Sequence, residues 1–508
     1  MARKQGVIFS YIYMIAEILS SMLFTPYMIR SLGKSEYGIF SLVANITGYL
    51  LLFDMGIGNA IVRYMAKYRA NNDMENQKKF LGVSISFYSI IAIFVLIAGF
   101  TIQQNIEGFF NRGLSASELI LAKKMFGVTM VNAALTLFSA SFRQSLIAYE
   151  KFVLHKCIGI GIIALRVLIS VILLNFGFGG MGIVSANLSV TVIGMFAYGA
   201  YVIFGLKIIP KFSSIEKSFV LEIFSYSAFI FIQMLATQLN SMTDQILIGA
   251  LVASSSGVLA VYAVGSNISS YFQSLATSVN GVLMPGVVKM AEQNAKSEQY
   301  LDEMVKVGRI MFIMLGIIWT VFLVFGRNFV EIWAGEEYSN GYLAAVIIML
   351  PLMFTLIQGI GTQILWALNK HKVQAYLKMG STLINIILTI ILIKVMNPLI
   401  GASIGTAVAY LLGDVIVMNI VFKKDIHISM ITYYKRLFKG ILPCLVIAGI
   451  AGFVFSFSGL GRVSEFLIGS SIMVIIYLAA LFMFGVNNSE KQMLMSIVNK
   501  ITGVIKRR

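Results

Sequence analysis

The sequence predicts an all-α polytopic membrane protein, and three observations carry that prediction. Hydrophobic residues make up 58% of the 508 positions and charged residues only 12%. A soluble chain of this length carries roughly 25% charged residues, so too little polar surface remains to cover a water-soluble globule. The apolar residues also fall into runs of the roughly 20 residues that a helix needs to cross a bilayer. Finally, the formal net charge of +17 is concentrated in the short segments between those runs. That placement is the positive-inside pattern of a membrane protein rather than a nucleic-acid footprint.

Fourteen apolar spans are expected, at 7–29, 38–60, 81–104, 125–148, 157–178, 181–205, 223–249, 258–283, 308–326, 343–367, 375–396, 401–422, 440–456 and 465–486. The first follows Arg3 and Lys4, carries Glu17 and has no small-residue cleavage site after it, so it reads as a retained helix. The fifth and sixth are separated by the Gly-rich turn 175–180, and the eleventh and twelfth by Asn397-Pro398. With both termini placed in the cytoplasm, 29 Lys and Arg residues fall on the inner side and 8 on the outer side. Segment 425–439 mixes apolar residues with Lys435, Arg436 and Lys439, which suits an interfacial position. The longest loops expected lie near 61–80 and 284–307. Cys157 and Cys444 lie inside apolar runs and form neither a disulfide framework nor a metal motif.

An internal repeat sets the domain organisation. Leu19-Ser-Ser-Met22 recurs as Leu239-Asn-Ser-Met242, and Asn45-Ile46 as Asn267-Ile268. Leu146-Ile-Ala148 with Lys151 recurs as Leu365-Trp-Ala367 with Lys370. Six spans separate the copies, so they share one orientation and form a parallel repeat. The expected domains are an N-terminal lobe, 1–217, and a C-terminal lobe, 218–424. The interfacial segment 425–439 follows, then a last pair of helices and a cytoplasmic tail, 440–508.

Few charges interrupt the apolar runs, and each such residue costs roughly 2.5–3.5 kcal/mol at a helix centre on insertion scales. Glu17, Arg166 and Asp414 lie centrally in their spans, Arg143 and Asp54 toward the inner side, and Asp244 toward the outer side. Guanidinium groups bind phosphate oxygens through a planar, bidentate fork, which makes Arg143 and Arg166 the candidate substrate-binding residues. Glu17, Asp54, Asp244 and Asp414 are candidates to bind a coupling ion, H⁺ or Na⁺. The structural alternative is that these charges pair with one another and hold helices together.

Several motifs resemble one family. They are Leu32-Gly33-Lys-Ser-Glu36-Tyr37-Gly38, Phe53-Asp54-Met-Gly56-Ile-Gly58-Asn59 followed by Arg63, and Thr243-Asp244-Gln-Ile-Leu-Ile-Gly249. Pro285 closes the eighth expected span, and Leu365-Trp-Ala367 and Gly401-Ala402-Ser-Ile-Gly405 follow. In their order, these residues resemble the polysaccharide-transporter branch of the multidrug/oligosaccharidyl-lipid/polysaccharide flippase superfamily. The resemblance spans nearly the whole chain. It implies two six-helix lobes plus two helices, and an electropositive cavity. It further implies flipping of a polyprenyl-pyrophosphate-linked oligosaccharide from the inner to the outer leaflet of a bacterial cytoplasmic membrane, by alternating access. Some members couple this to an ion gradient. Asp54, Gly56, Arg63 and Asp244 carry over as motif positions. The partners implied are the lipid-linked oligosaccharide, bilayer lipids, and a polysaccharide polymerase or glycosyltransferases. A monomer with no organic cofactor and no nucleic-acid partner is expected.

The alternatives are an ion-coupled multidrug exporter of the same superfamily and an integral-membrane glycosyltransferase or polymerase. The first usually has twelve spans and fewer cavity cations. The second needs paired acids in a long outer loop, and Glu107 and Glu118 are too far apart to make such a pair. No Gly-x-x-x-x-Gly-Lys-Ser/Thr sequence is present to cradle ATP.

Overall fold

The computed structural model describes residues 2–508 except 55, 213–216, 294, 369, 487–489 and 491–508. Side chains at 2–8, 217–230, 232–233, 241, 278–285, 288–289 and 371–372 are also outside the description. Met55 and Asn369 of the motifs, the Pro285 side chain and the basic tail from Lys491 therefore lie outside the described residues.

Hydrocarbon offers no hydrogen bonds, so a chain crossing it must satisfy its peptide groups internally, and helices do this within one segment. The described residues contain helices and no strand. In order they are α1 (Ala2–Leu50), α2 (Ile57–Ala70), α3 (Met74–Phe110), α4 (Ala116–Ala148), α5 (Phe152–Asn175) and α6 (Gly179–Ala200). Next come α7 (Lys217–Leu251), α8 (Ser256–Glu292), α9 (Ser297–Trp333), α10 (Gly341–Ile357), α11 (Gly359–Ala367) and α12 (His371–Val395). The series ends with α13 (Pro398–Ala409), α14 (Met418–Asp425), α15 (Met430–Phe438), α16 (Ile441–Phe455) and α17 (Arg462–Ala480). Wide π turns occupy Tyr201–Gly205, Tyr410–Val417 and Leu481–Gly485.

Among the described residues, nine helices are long and apolar enough to cross a membrane, or eleven if each of two bent pairs is one span. This count does not reach the fourteen expected spans. One reason is that Phe9–Ala70 runs as a single 62-residue stretch over the first two expected spans. Its only sharp break inside α1 is Gly33, at φ 70° and ψ 175°. The expected spans 223–249 and 258–283 fall on α7 and α8, parts of which lie outside the described residues.

The two longest expected loops are largely helical. Between α2 and α3 only residues 71–73 are non-helical. The Asp73 carboxylate accepts from the Asn76 backbone N–H at 3.0 Å, which caps α3 and holds the Asp73 pKa below its usual value. Likewise α8 runs past Pro285 to Glu292 and α9 begins at Ser297. Proline removes one donor, and a membrane helix tolerates that loss when neighbouring groups re-satisfy the freed carbonyl.

The chain forms two compact units, 1–263 with 382–405, and 264–381 with 406–508. In the first, α4 packs against α1, α2, α3, α5 and α6. In the second, α9 packs against α10, α11, α15, α16 and α17. α9 also carries the most connected charge of that unit. Arg309 is 2% exposed. Its Nη1 donates to the carbonyls of Arg436, Leu437 and Lys439 at 3.1, 3.2 and 2.9 Å. Its Nη2 donates to the Gly485 carbonyl at 2.7 Å, and Nε to Glu490 at 2.6 Å. The guanidinium thus satisfies the orphan carbonyls at the end of α15 and ties them to the end of the last helix.

Arg309→Ala is expected to destabilise the second unit by about 3–5 kcal/mol, because Glu490 and four carbonyls lose their donor. Arg309→Lys should recover little of this, since an ammonium cannot reproduce the fork. Thermal unfolding of the purified protein in detergent checks both; an unchanged midpoint for Arg309→Ala would remove the guanidinium from this structural role.

Candidate functional site

A cationic cluster forms inside the first unit. Tyr13 and Glu17 stand one helical turn apart on α1. The Lys156 ammonium of α5 lies 4.4 Å from the Tyr13 ring centroid. Gly159, one turn further along α5, makes this approach possible: a Cβ there would sit 2.6 Å from the Tyr13 ring. Glu17, Arg166 and Arg143 are charged side chains in the neighbourhood of Tyr13. Arg143 on α4 also lies in the neighbourhood of Tyr88 of α3, His155 of α5 and Tyr198 of α6. Tyr88 in turn donates to Asp54 Oδ1 at 2.5 Å. Five elements and the turn at Asp54 thereby bring Arg143, Arg166, Glu17 and Asp54 around one set of tyrosines. Among the described residues, neither Arg143 nor Arg166 makes a hydrogen bond or an ion pair with a carboxylate. Two guanidinium groups held this way can grip a phosphate or pyrophosphate, with tyrosine hydroxyls as further donors.

Asp244 belongs to a different network of the same unit. It is 1% exposed, and two hydroxyls donate to it. Tyr262 donates to Oδ2 at 2.5 Å and Thr389 to Oδ1 at 3.1 Å. Below it, Asn385 Nδ2 donates to Asn240 Oδ1 at 2.9 Å, and Thr382 donates to the Ala236 carbonyl at 3.0 Å. Ala236, Asn240 and Asp244 on α7 therefore face Thr382, Asn385 and Thr389 on α12 as a buried polar seam. A buried carboxylate among hydroxyls and amide oxygens is chemically suited to take H⁺ or a hard cation such as Na⁺.

Asp414 lies in the second unit, in the π turn after α13, and pairs with Lys378 of α12 at 2.6 Å. The same unit has an apolar groove of about 780 Å³ between α9, α10 and α16, lined by Phe312, Trp319, Leu323, Phe354 and Val446.

The candidate residues thus separate into one cluster and two further networks. Sequence reading missed Tyr13, Tyr88, Lys156, Tyr198, Tyr262 and Lys378. The polar seam did leave a signal: Asn240 and Asp244 are four residues apart, as are Asn385 and Thr389.

The model of the family described as Polysaccharide biosynthesis protein matches residues 3–291. The chain belongs to that family. It is 22% identical over 450 residues to the uncharacterized membrane protein EpsK of Bacillus subtilis (strain 168), covering 84% of this chain and 83% of that one. It is 23% identical over 401 residues to the probable flippase AglR of Haloferax volcanii, covering 78% of each chain. Among solved structures it resembles the lipid II flippase MurJ in an inward closed conformation, with TM-score 0.70 and 17% identity over 94% of this chain and 97% of that one. It also resembles an inward-facing multidrug resistance MATE family transporter of the MOP superfamily, with TM-score 0.64 and 12% identity over 82% and 95%. At these identities the structural likenesses carry the fold: an all-α polytopic membrane protein.

The family-like motifs have local structural reasons. Gly38 lies where a Cβ would sit 2.0 Å from the Ser256 carbonyl oxygen, so the close approach of α1 to the start of α8 at this point needs a glycine. Gly56 precedes α2 at φ 72° and ψ 12°, in the left-handed region. Arg63 is exposed, and its guanidinium lies 5.8 Å from the Tyr64 ring centroid.

Gly56→Ala is expected to cost about 1–2 kcal/mol, the strain of a Cβ in left-handed helical backbone. A thermal midpoint equal to that of the parent protein would show that the turn relaxes without strain.

Proposed function

We infer that this protein is a flippase that carries a polyprenyl-pyrophosphate-linked oligosaccharide from the inner to the outer leaflet for cell-surface polysaccharide synthesis. The observation that carries this reading is the cluster of Arg143, Arg166 and Lys156 around Tyr13, in a chain of the polysaccharide biosynthesis family. Among the described residues these two half-buried guanidinium groups have no bonded carboxylate, which leaves them able to take an incoming anion. A pyrophosphate supplies several oxygens in the geometry a guanidinium fork prefers. The apolar groove of the second unit is a surface that suits hydrocarbon. A relative named as a probable flippase and the fold likeness to a lipid II flippase support the same reading.

Under this proposal the lipid-linked glycan enters from the cytoplasmic side, where Arg143 meets the pyrophosphate before Arg166. Alternating access between two six-helix lobes, 1–217 and 218–424, moves it outward. The protein acts in the bacterial cytoplasmic membrane as a monomer with both termini inside. Glycosyltransferases supply its substrate and a polysaccharide polymerase receives it. The reading assigns transport and no covalent step. A multidrug exporter would share the fold, but a cationic drug would be repelled by the same two guanidinium groups.

Arg143→Ala and Arg166→Ala are each expected to slow translocation about tenfold or more, since a charge-assisted bond contributes about 1.5–3 kcal/mol. The assay is protection of a fluorescent lipid-linked oligosaccharide from an external enzyme in liposomes, with thermal unfolding to verify the fold. Normal flipping by both variants would remove the cluster from the substrate path.

Asp244 is the proposed coupling site for H⁺ or Na⁺, with Glu17 and Asp54 as acids beside the substrate cluster. Asp244→Asn should leave translocation insensitive to imposed Na⁺ and pH gradients to which the parent protein responds. A parent protein indifferent to both gradients would make these carboxylates structural.

A further inference from the structure

A cationic face of the second unit lies outside the networks described above. α14 carries Lys423 and Lys424 in its last turn, α15 carries Lys435 and Arg436 in its own, and Lys439 follows directly. All five are exposed, and Asp425 is the only acid between positions 418 and 439. α15 is nine residues long, too short to persist in water on its own hydrogen bonds, so its inner face must hold it in place. Tyr433 and Leu437 are fully buried on that face. The Tyr433 hydroxyl donates to the Ile357 carbonyl at 2.7 Å, where α10 meets α11 at a 42° bend. Arg309 gathers the carbonyls of Arg436, Leu437 and Lys439 from beneath. The outer face is therefore presented in a fixed orientation. Ile431, Lys435 and Lys439 are spaced four apart along it and form one stripe. Ile431 is 83% exposed, the most exposed large apolar side chain among the described residues.

The acids near this face are engaged by other cations. Arg436 takes Glu298 and Asp302 of α9, each at 2.9 Å. Glu303 lies 3.7 Å from Lys306, and Asp425 lies 3.4 Å from Lys370. α16, which also packs on α15, carries no acid. Among the described residues Lys423, Lys424, Lys435 and Lys439 form no ion pair. Residues 491–508 contain no Asp or Glu to pair with them.

We propose that this face is a docking surface for anionic phospholipid headgroups, with Ile431 at the acyl boundary and the four lysines at the lipid phosphates. Two features favour a lipid over an acidic protein. The stripe joins its cations to a protruding isoleucine, and the edge of a bilayer is where an apolar group and ammonium groups on one helix face are both solvated well. The depth also fits. α15 meets α16 at a 49° bend, and α16 exposes Leu442, Ile447 and Val454, side chains that hydrocarbon covers. The lysines at the start of that apolar helix then stand at headgroup level, where anionic lipid attracts them. The proposal rests on the membrane environment alone and does not need the flippase reading.

The test is native mass spectrometry of the full chain, released from nanodiscs of phosphatidylcholine and phosphatidylglycerol in equal amounts, counting the lipids of each kind that stay bound. The parent protein is expected to retain phosphatidylglycerol in excess, and the excess should shrink as the ammonium acetate concentration rises. The variant Lys423→Gln, Lys424→Gln, Lys435→Gln, Lys439→Gln should lose about fivefold or more of that preference. The two half-variants, Lys423→Gln with Lys424→Gln and Lys435→Gln with Lys439→Gln, should each lose part of it, and they keep the test available where the fourfold variant does not fold. Thermal unfolding in detergent verifies the fold of each. A control that neutralises four exposed lysines of the first unit, Lys67→Gln, Lys79→Gln, Lys151→Gln and Lys207→Gln, should keep the preference. Ile431→Asp, which sets an opposing charge at the acyl boundary, should weaken it. An equal loss in the control would reduce the preference to net charge and overturn the proposal. No preference in the parent protein would overturn it as well. So would an undiminished preference in the fourfold variant, which would leave the face to a water-borne acidic partner.

Discussion

Charge in hydrocarbon must be compensated by the protein that carries it, and the internal architecture of this chain follows from how each charge is met. Arg309 is met in full: carbonyl oxygens at the ends of two helices and the Glu490 carboxylate surround its fork. Lys378 and Asp414 meet each other. The hydroxyls of Tyr262 and Thr389 meet Asp244. Among the described residues, Arg143 and Arg166 have no bonded carboxylate, although Glu17 and both arginines lie near Tyr13.

The backbone obeys the same rule. Peptide groups inside a membrane must pair within the protein, so each departure from regular helix has a local reason. Gly33 and Gly56 adopt positive φ because no Cβ opposes it. The turn at Tyr410–Val417 widens, and Ser381 of the neighbouring helix donates to the Ala409 carbonyl at its start. These breaks sit beside polar side chains rather than among purely apolar ones. Gly56 follows the Asp54 that Tyr88 holds, and the wide turn carries Asp414. The irregular backbone and the unusual charges are therefore parts of the same constructions.

Aromatic residues connect these charges to the membrane interior. Tyr88 and Tyr262 each present an apolar ring to packing and a hydroxyl to a carboxylate, and Tyr13 presents its ring to Lys156, so they carry polar contacts into the bilayer at little cost in apolar surface. A cluster lined in this way can bind the charged part of an amphipathic molecule while tolerating its hydrocarbon beside it. Such a division of labour suits a lipid-linked anion better than a small soluble one.

The sequence by itself determined the helical class, the membrane environment and which charges interrupt the apolar runs, because hydrophobic length and the rarity of charge within it are local properties of the chain. It also marked Gly33, Gly38 and Gly56, whose spacing resembles a family pattern, although their reasons became visible only with the left-handed backbone and the Ser256 contact in place. Loop lengths near 61–80 and 284–307 were misjudged, since charged residues that leave the hydrocarbon can remain helical in water and composition does not distinguish the two states. Which charges meet was decided by tertiary structure alone. Lys378 looks in sequence like one more inner-side base, yet it pairs with a carboxylate 36 positions away. Arg143 and Arg166 lie on different helices, and only the packing of α4 and α5 against α1 brings both to Tyr13. Pairing depends on distance in space, and in a bundle of apolar helices the sequence holds almost no information about which faces will touch.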